Sequence, residues 1–211
     1  MELMGSCSVS LDGEKIEVGS CCYALVRTQG FHDNPKGQSD NIQYIVHGPY
    51  FITLEDGQKA EIIEGHRLLR DEYLFIKIFD EILARHYWKE VQFKPAAGSG
   101  TDNEAESLFS SVPKNLACGS EYRIIGTEYS FFIPPNGVIV IPDNEEGYIR
   151  KAVTLELYEY TILINENRKH EYHFGNVKPK IVFPMPGQRF VKLNGTDSRK
   201  VKAEIVSTPY A

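Results

Sequence analysis

The chain has little that would mark it as a metalloprotein, a membrane protein or a nucleic-acid binder. Its 211 residues include only four cysteines, Cys7, Cys21, Cys22 and Cys118. Their spacing matches neither paired zinc ligands nor a disulfide framework, so reduced structural thiols are expected. No apolar run approaches the roughly 18–20 residues needed to span a bilayer. The opening stretch MELMGSCSVSLDGEK lacks a basic region followed by an apolar one, so no secretory signal is expected and a cytoplasmic chain is. Lysine and arginine total 23 against 29 aspartates and glutamates, a net charge of -6, and no basic face stands out. That balance argues against nucleic acid as a partner. The short clusters Arg150-Lys151, Arg168-Lys169 and Arg199-Lys200 read as solvated loop charge.

Catalytic patterns are also missing. There is no G-x-S-x-G elbow, Walker loop or G-x-G-x-x-G. The six histidines lack the short pair spacing of a zinc site. His170 and His173 would point to opposite faces of a strand, and His86 reads as part of a packed aromatic edge. The acidic pairs Glu55-Asp56, Asp71-Glu72, Asp80-Glu81 and Glu145-Glu146 sit mostly in turn-like stretches. A hydrolase with paired carboxylates has no other support. The expectation is a protein that is not an enzyme, with no catalytic, cofactor-binding or metal residues and no small-molecule substrate.

What is present reads as β structure. Cys22–Val26, Tyr50–Leu54, Tyr73–Phe79, Glu121–Ile125, Tyr129–Ile133, Val138–Ile141, Val153–Ile164 and Lys180–Phe183 are rich in β-branched and aromatic residues. Turn clusters such as EDG, PPNG and PMPG separate them, as in a hairpin-built antiparallel protein. One stretch differs: Asp80–Val91 places Ile82, Leu83, His86 and Tyr87 at helical spacing, with Glu81 and Arg85 as an i,i+4 pair. One short helix is expected near residues 80–91. The small and acidic residues of Lys94–Ser107 read as a linker or long loop. The expected division is a first module at 1–93, a linker at 94–113 and a second module at 114–211.

The sequence repeats itself. VHGPYFITLEDGQK and NVKPKIVFPMPGQR align at an offset of 130, matching Pro49 with Pro179, Gly57 with Gly187, Gln58 with Gln188 and Gly65 with Gly195. Upstream, an offset of 137 matches Ile16 with Val153, Val18 with Leu155, Tyr23 with Tyr160 and Leu25 with Ile162. Proline ends one strand and opens the next, and glycine supplies the tight turn. One such unit cannot bury its apolar face alone, whereas a second copy stacked on it shares a core. Coincidence among turn-rich β segments is the competing explanation.

Val46–Glu81, Tyr160–Phe190 and Glu121–Ile141 resemble the repeat of major vault proteins, with its proline corner, apolar strand and Gly turn. The similarity covers Ile16–Phe79 and Glu121–Arg189. Gln58 and Gln188 depart from the acidic residue usual after that glycine, and the shell family's cap-helix region has no counterpart. Similar modules are expected in virion proteins of tailed phages. The resemblance implies mainly β structure in two tandem antiparallel modules and a non-enzymatic role. That role is assembly in a large particle, a phage capsid, neck or tail, through contacts with itself and other particle proteins. The location implied is a virion assembled in the host cytoplasm. YSFFIPP and VIVIP are apolar on both strand faces, so each strand is either buried on both sides or lies against another molecule, with Phe131, Phe132, Ile133, Val138 and Val140 as a possible interface. Twelve tyrosines and eleven phenylalanines on a β scaffold, with long loops at Gly30–Asn41 and Ala96–Leu108, keep an alternative open: an adhesion module for carbohydrate or a receptor.

Overall fold

The computed structural model describes residues 15–28, 43–97, 108–109, 111–114, 116–143, 147–193 and 198–202. They are mainly β, in several antiparallel sheets with one short helix.

The first unit sets the pattern. Strands β1 (Lys15–Val18) and β4 (Tyr50–Thr53) form a two-stranded ribbon with Ile16 opposite Ile52. Strand β2 (Cys22–Thr28) lies between β3 (Gln43–His47) and β5 (Gln58–Glu64) in a three-stranded sheet. Val18 and Ile52 of the ribbon pack on Cys22, Ala24 and Val26 of the sheet. Two glycines fix the geometry. Gly57 turns the chain at φ 82, where side chains are disfavoured. Gly48 lies so close to the β1–β2 turn that a Cβ there would sit 1.8 Å from the Gly19 carbonyl oxygen.

The same ladder recurs twice more. In the second unit β6 (His66–Arg67) is followed by β7 (Glu72–Ile78), helix α1 (Glu81–Tyr87), a 3-10 turn and β8 (Gln92–Pro95). Then come β9 (Glu121–Ile125), β10 (Tyr129–Ile133), β11 (Val138–Ile141) and β12 (Arg150–Lys151). The third unit holds β13 (Val153–Leu155), β14 (Glu159–Ile164), β15 (His170–Phe174), β16 (Lys180–Val182), β17 (Arg189–Phe190) and β18 (Val201–Lys202). Ile16 opposite Ile52 becomes His66 opposite Phe132, then Val153 opposite Val182. Tyr23 opposite His47 becomes Tyr73 opposite Ile125, then Tyr160 opposite Phe174. Gly48 becomes Gly126 and Gly175, each with the same forbidden approach to a turn carbonyl, of Leu69 and Glu156. Gly57 becomes Gly137 and Gly187, all at positive φ. The continuous β5 of the first unit is split by an insertion in the other two, into β11 with β12 and β17 with β18, still on the same central strand.

Three copies therefore stand where the sequence displays two. The middle copy hides because its landmarks are replaced: Tyr129 takes the place of Pro49, and Val138 that of Gln58. Residues 79–120 are also inserted between its β7 and β9. The expected break at 94–113 falls inside this unit, since β7 before it pairs with β9 and β11 after it. Lys94 and Pro95 belong to β8, an edge strand on β10. The stretch expected as one strand, Val153–Ile164, is β13 and β14 joined by a turn in which Tyr158 has φ 67.

The insertion covers the second unit's core. Asp80 caps α1 by accepting from the Leu83 amide at 2.9 Å, and Arg85 pairs with Glu81 at 3.0 Å. The buried face is Ala84 with Trp88, not the Ile82 stripe expected; Ile82 is 80% exposed. Trp88, Phe109 and Leu116 seal the cluster of Leu74, Ile76, Ile78 and Phe132. Cys21 and Cys118 are free and exposed, but Cys22, buried in the first unit, is disulfide-bonded. The expected reduced state fails there because cysteine spacing along the chain does not reveal what the fold places beside a buried thiol. No helix among the described residues is long and apolar enough to cross a membrane.

Candidate interaction site: the faces between units

Each central strand has two faces. On β2, Cys22, Ala24 and Val26 point into the unit's own core, while Tyr23 and Leu25 point away from it. All five are buried, because the second unit covers the outer face. Tyr23, Leu25, Ile45 and Ile63 meet Ile133, with Phe131, Ile139 and Tyr148 packed around them. At the link, Gly65 leaves room for Phe131: a Cβ would lie 2.3 Å from its ring. His47 Nε2 donates to the Pro134 carbonyl at 2.7 Å, and the Ile45 amide donates to Asn136 Oδ1 at 3.2 Å.

A polar pair is sealed into this junction. The Tyr23 hydroxyl meets His66 Nε2 at 2.9 Å, and the Tyr148 ring stands edge-on to His66 at 5.0 Å. Burial holds the imidazole down at about 4, so it is neutral and accepts from the hydroxyl. Burial also raises the Tyr23 phenol, which therefore keeps its proton.

The second and third units meet through the equivalent places. Tyr73, Phe75, Arg123 and Arg150 occupy the positions of Tyr23, Leu25, Ile45 and Ile63. Phe183 stands where Ile133 does, with its ring 6.0 Å from Tyr73 and under the Arg123 guanidinium. Arg123 donates to the Phe183 and Pro184 carbonyls at 2.6 and 3.1 Å. Arg150 lies over Phe75 and donates to the Ile141 and Pro142 carbonyls. A groove of about 450 Å3 remains here, lined by Arg150, Lys151, Arg189, Lys192 and Arg199 against Asp143, with Tyr73, Phe75 and Phe190 among its walls.

The third unit presents the same face with none of the described units over it. Tyr160, Phe174 and Val201 share one row, and Ile162 and Tyr172 the next. Tyr172 and Phe174 are 57% and 65% exposed, and Tyr160, Ile162 and Val201 are half-buried. At the other end, the first unit exposes the face that its successors bury. Phe51, in the place of Phe131, is 64% exposed, and Thr53 and Lys59, in the places of Ile133 and Ile139, are exposed.

The residues singled out from sequence fall into two groups. Pro49 and Pro179 immediately precede β4 and β16, and Gly57 and Gly187 make the same turn. Gln58 and Gln188 cap it identically, each side-chain oxygen accepting from the amide three residues back, that of Glu55 at 3.1 Å and of Met185 at 2.9 Å. A carboxylate could accept the same bond, so glutamine in the acidic residue's place keeps the turn. By contrast, of the two readings of the doubly apolar strands, burial within the chain is the one found. Phe132, Val138 and Val140 lie in the second unit's core, and Ile133 and Phe131 in its junction with the first. Their strands are apolar on both sides because the chain covers both sides. Gly195 and the loop Gly30–Asn41 lie outside the described residues.

Sequence reasoning missed Tyr73. The signal was available: Glu72-Tyr73 and Glu159-Tyr160 are the same dipeptide, and Glu72 and Glu159 each cap their turn by accepting from the amide three residues back, at 2.9 and 2.8 Å. Of the acidic pairs, Glu72 thus serves a turn and Asp80 the helix cap. Among the described residues, no group of three or more His, Cys, Asp or Glu side chains is placed to hold a metal. No protein-family model matches the chain, and no curated protein matches its sequence.

Proposed function

We propose that this chain is a structural building block of a large particle, a bacteriophage virion component of capsid, neck or tail. It works by stacking β units on one another, within the chain and between chains. The observation that carries the reading is the repeated junction face: covered on the first two units, open and aromatic on the third. Exposed aromatic patches of this kind favour association. The vault-type resemblance supports the same role, and the Cys22 disulfide suits a particle that persists outside a reducing cytosol. Partners are other copies of the chain and other particle proteins. Light scattering after size exclusion tests this: a mass above the 23.9 kDa monomer that rises with concentration is expected. A single monomeric species at the highest soluble concentration overturns it.

One observation favours a second reading, an adhesion module for an acidic glycan. The groove between the second and third units combines cations with aromatic walls. A sulfated oligosaccharide titrated by calorimetry should bind there, and Arg189→Glu should abolish the heat. No heat from sulfated or sialylated probes removes this reading.

A further inference from the structure

The two junctions within the chain define both halves of a joint. One half is the sheet face bearing Tyr23 in the first unit and Tyr73 in the second. The other is the ribbon and turn of the following unit, which presents Ile133 or Phe183 and the carbonyl of Pro134 or Pro184. Among the described residues each half occurs three times and two joints are made. A sheet face is left over on the third unit and a ribbon face on the first.

Resting on the assembly reading above, we propose that the sheet face of the third unit seats the ribbon face of the first unit from a second copy of this chain, so that copies stack head to tail. Continuity with the two existing joints selects this occupant. Phe51 takes the place of Phe131, one residue before Ile52 as Phe131 is before Phe132 in the matching strand. Tyr172 takes the place of Arg123, and its hydroxyl would be a donor to the Leu54 carbonyl, the counterpart of Pro184. The faces differ from each other, so the contact is heterologous and does not close on itself as a two-fold dimer. The aromatic surface now exposed at Phe51, Tyr172 and Phe174 would become half-buried, as its counterparts Phe131, Arg123 and Ile125 are.

A complementation experiment in sedimentation velocity tests this. Phe51→Glu spoils only the ribbon face, and Tyr172→Glu with Phe174→Glu spoils only the sheet face. All three positions are largely exposed, so both variants should melt like the native chain. The native chain should associate into species that lengthen with concentration. Each variant alone should associate at least tenfold more weakly. An equimolar mixture should recover a dimer of native affinity that stops at two, because one intact joint remains. If both variants still associate like the native chain, another surface mediates self-association: the head-to-tail joint is overturned and the assembly reading stands. If the variants fail and the mixture is not rescued, the joint is symmetric and the proposal is again overturned. If the native chain does not associate at all, both readings fall together.

Discussion

Between the first and second units, Tyr23, Leu25, Ile45 and Ile63 close on Ile133. Between the second and third, the same places hold Tyr73, Phe75, Arg123 and Arg150, closing on Phe183. The backbone ladder is shared, down to the turn glycines and the donor aimed at a proline carbonyl. The side chains are not. One junction is aliphatic and seals a neutral histidine; the other is held by guanidinium groups and keeps a cationic groove. The units therefore stack in the same register, while side chains decide whether the joint is aliphatic or cationic.

The largest expected break in that comparison comes from the apolar joint. Ile133→Ala should cost about 4 kcal/mol in urea unfolding, as for a fully buried aliphatic side chain. Phe183→Ala, at the half-buried counterpart, should cost about 2 kcal/mol or less, since part of its ring area is already in water. Equal costs would show that the joints do not differ in burial.

Acid should act chiefly on the first joint. His66 has its affinity for protons lowered from 6.5 to about 4, so the unfolded chain takes up the proton first. Stability from this group is complete above pH 6.5 and is lost as pH falls toward 4, about 3 kcal/mol over that window. His66→Phe should flatten this part of the stability profile, and an unchanged slope would place the titration elsewhere. The third unit has Val153 at the equivalent position and offers no such group.

A smaller effect concerns the links. Gly65→Ala forces the Phe131 ring to move and should cost about 2 kcal/mol. The matching link residue, Ala152, already carries a Cβ, and Ala152→Gly should cost about 1 kcal/mol or less. An effect of similar size is expected at the second joint. Arg123→Met removes both bonds to the Phe183 and Pro184 carbonyls and should cost about 1.5 kcal/mol. A neutral result would mean water replaces the guanidinium.

The sequence was legible where local chemistry repeats. Gly57 with Gln58 and Gly187 with Gln188 make one turn by one mechanism, so their alignment carried real geometry. The match of Tyr23 with Tyr160 pointed to the junction face without revealing it as such. The second copy was illegible because Val138 and Tyr129 dropped the shared residues and the helical insertion separated β7 from β9. Apolar strands at Phe131–Ile133 looked like an outer interface because sequence records that both faces are apolar, not what covers them. The open face on the third unit could not be found that way, since Tyr172 sits among histidines and charges on a strand that reads as polar.

The claim that equivalent faces join units within and between chains is tested most directly by small-angle X-ray scattering over a concentration series. The account predicts a maximum dimension that grows with concentration while the cross-sectional radius stays constant, as copies add end to end. A maximum dimension independent of concentration, or growth in cross-section instead of length, would contradict it.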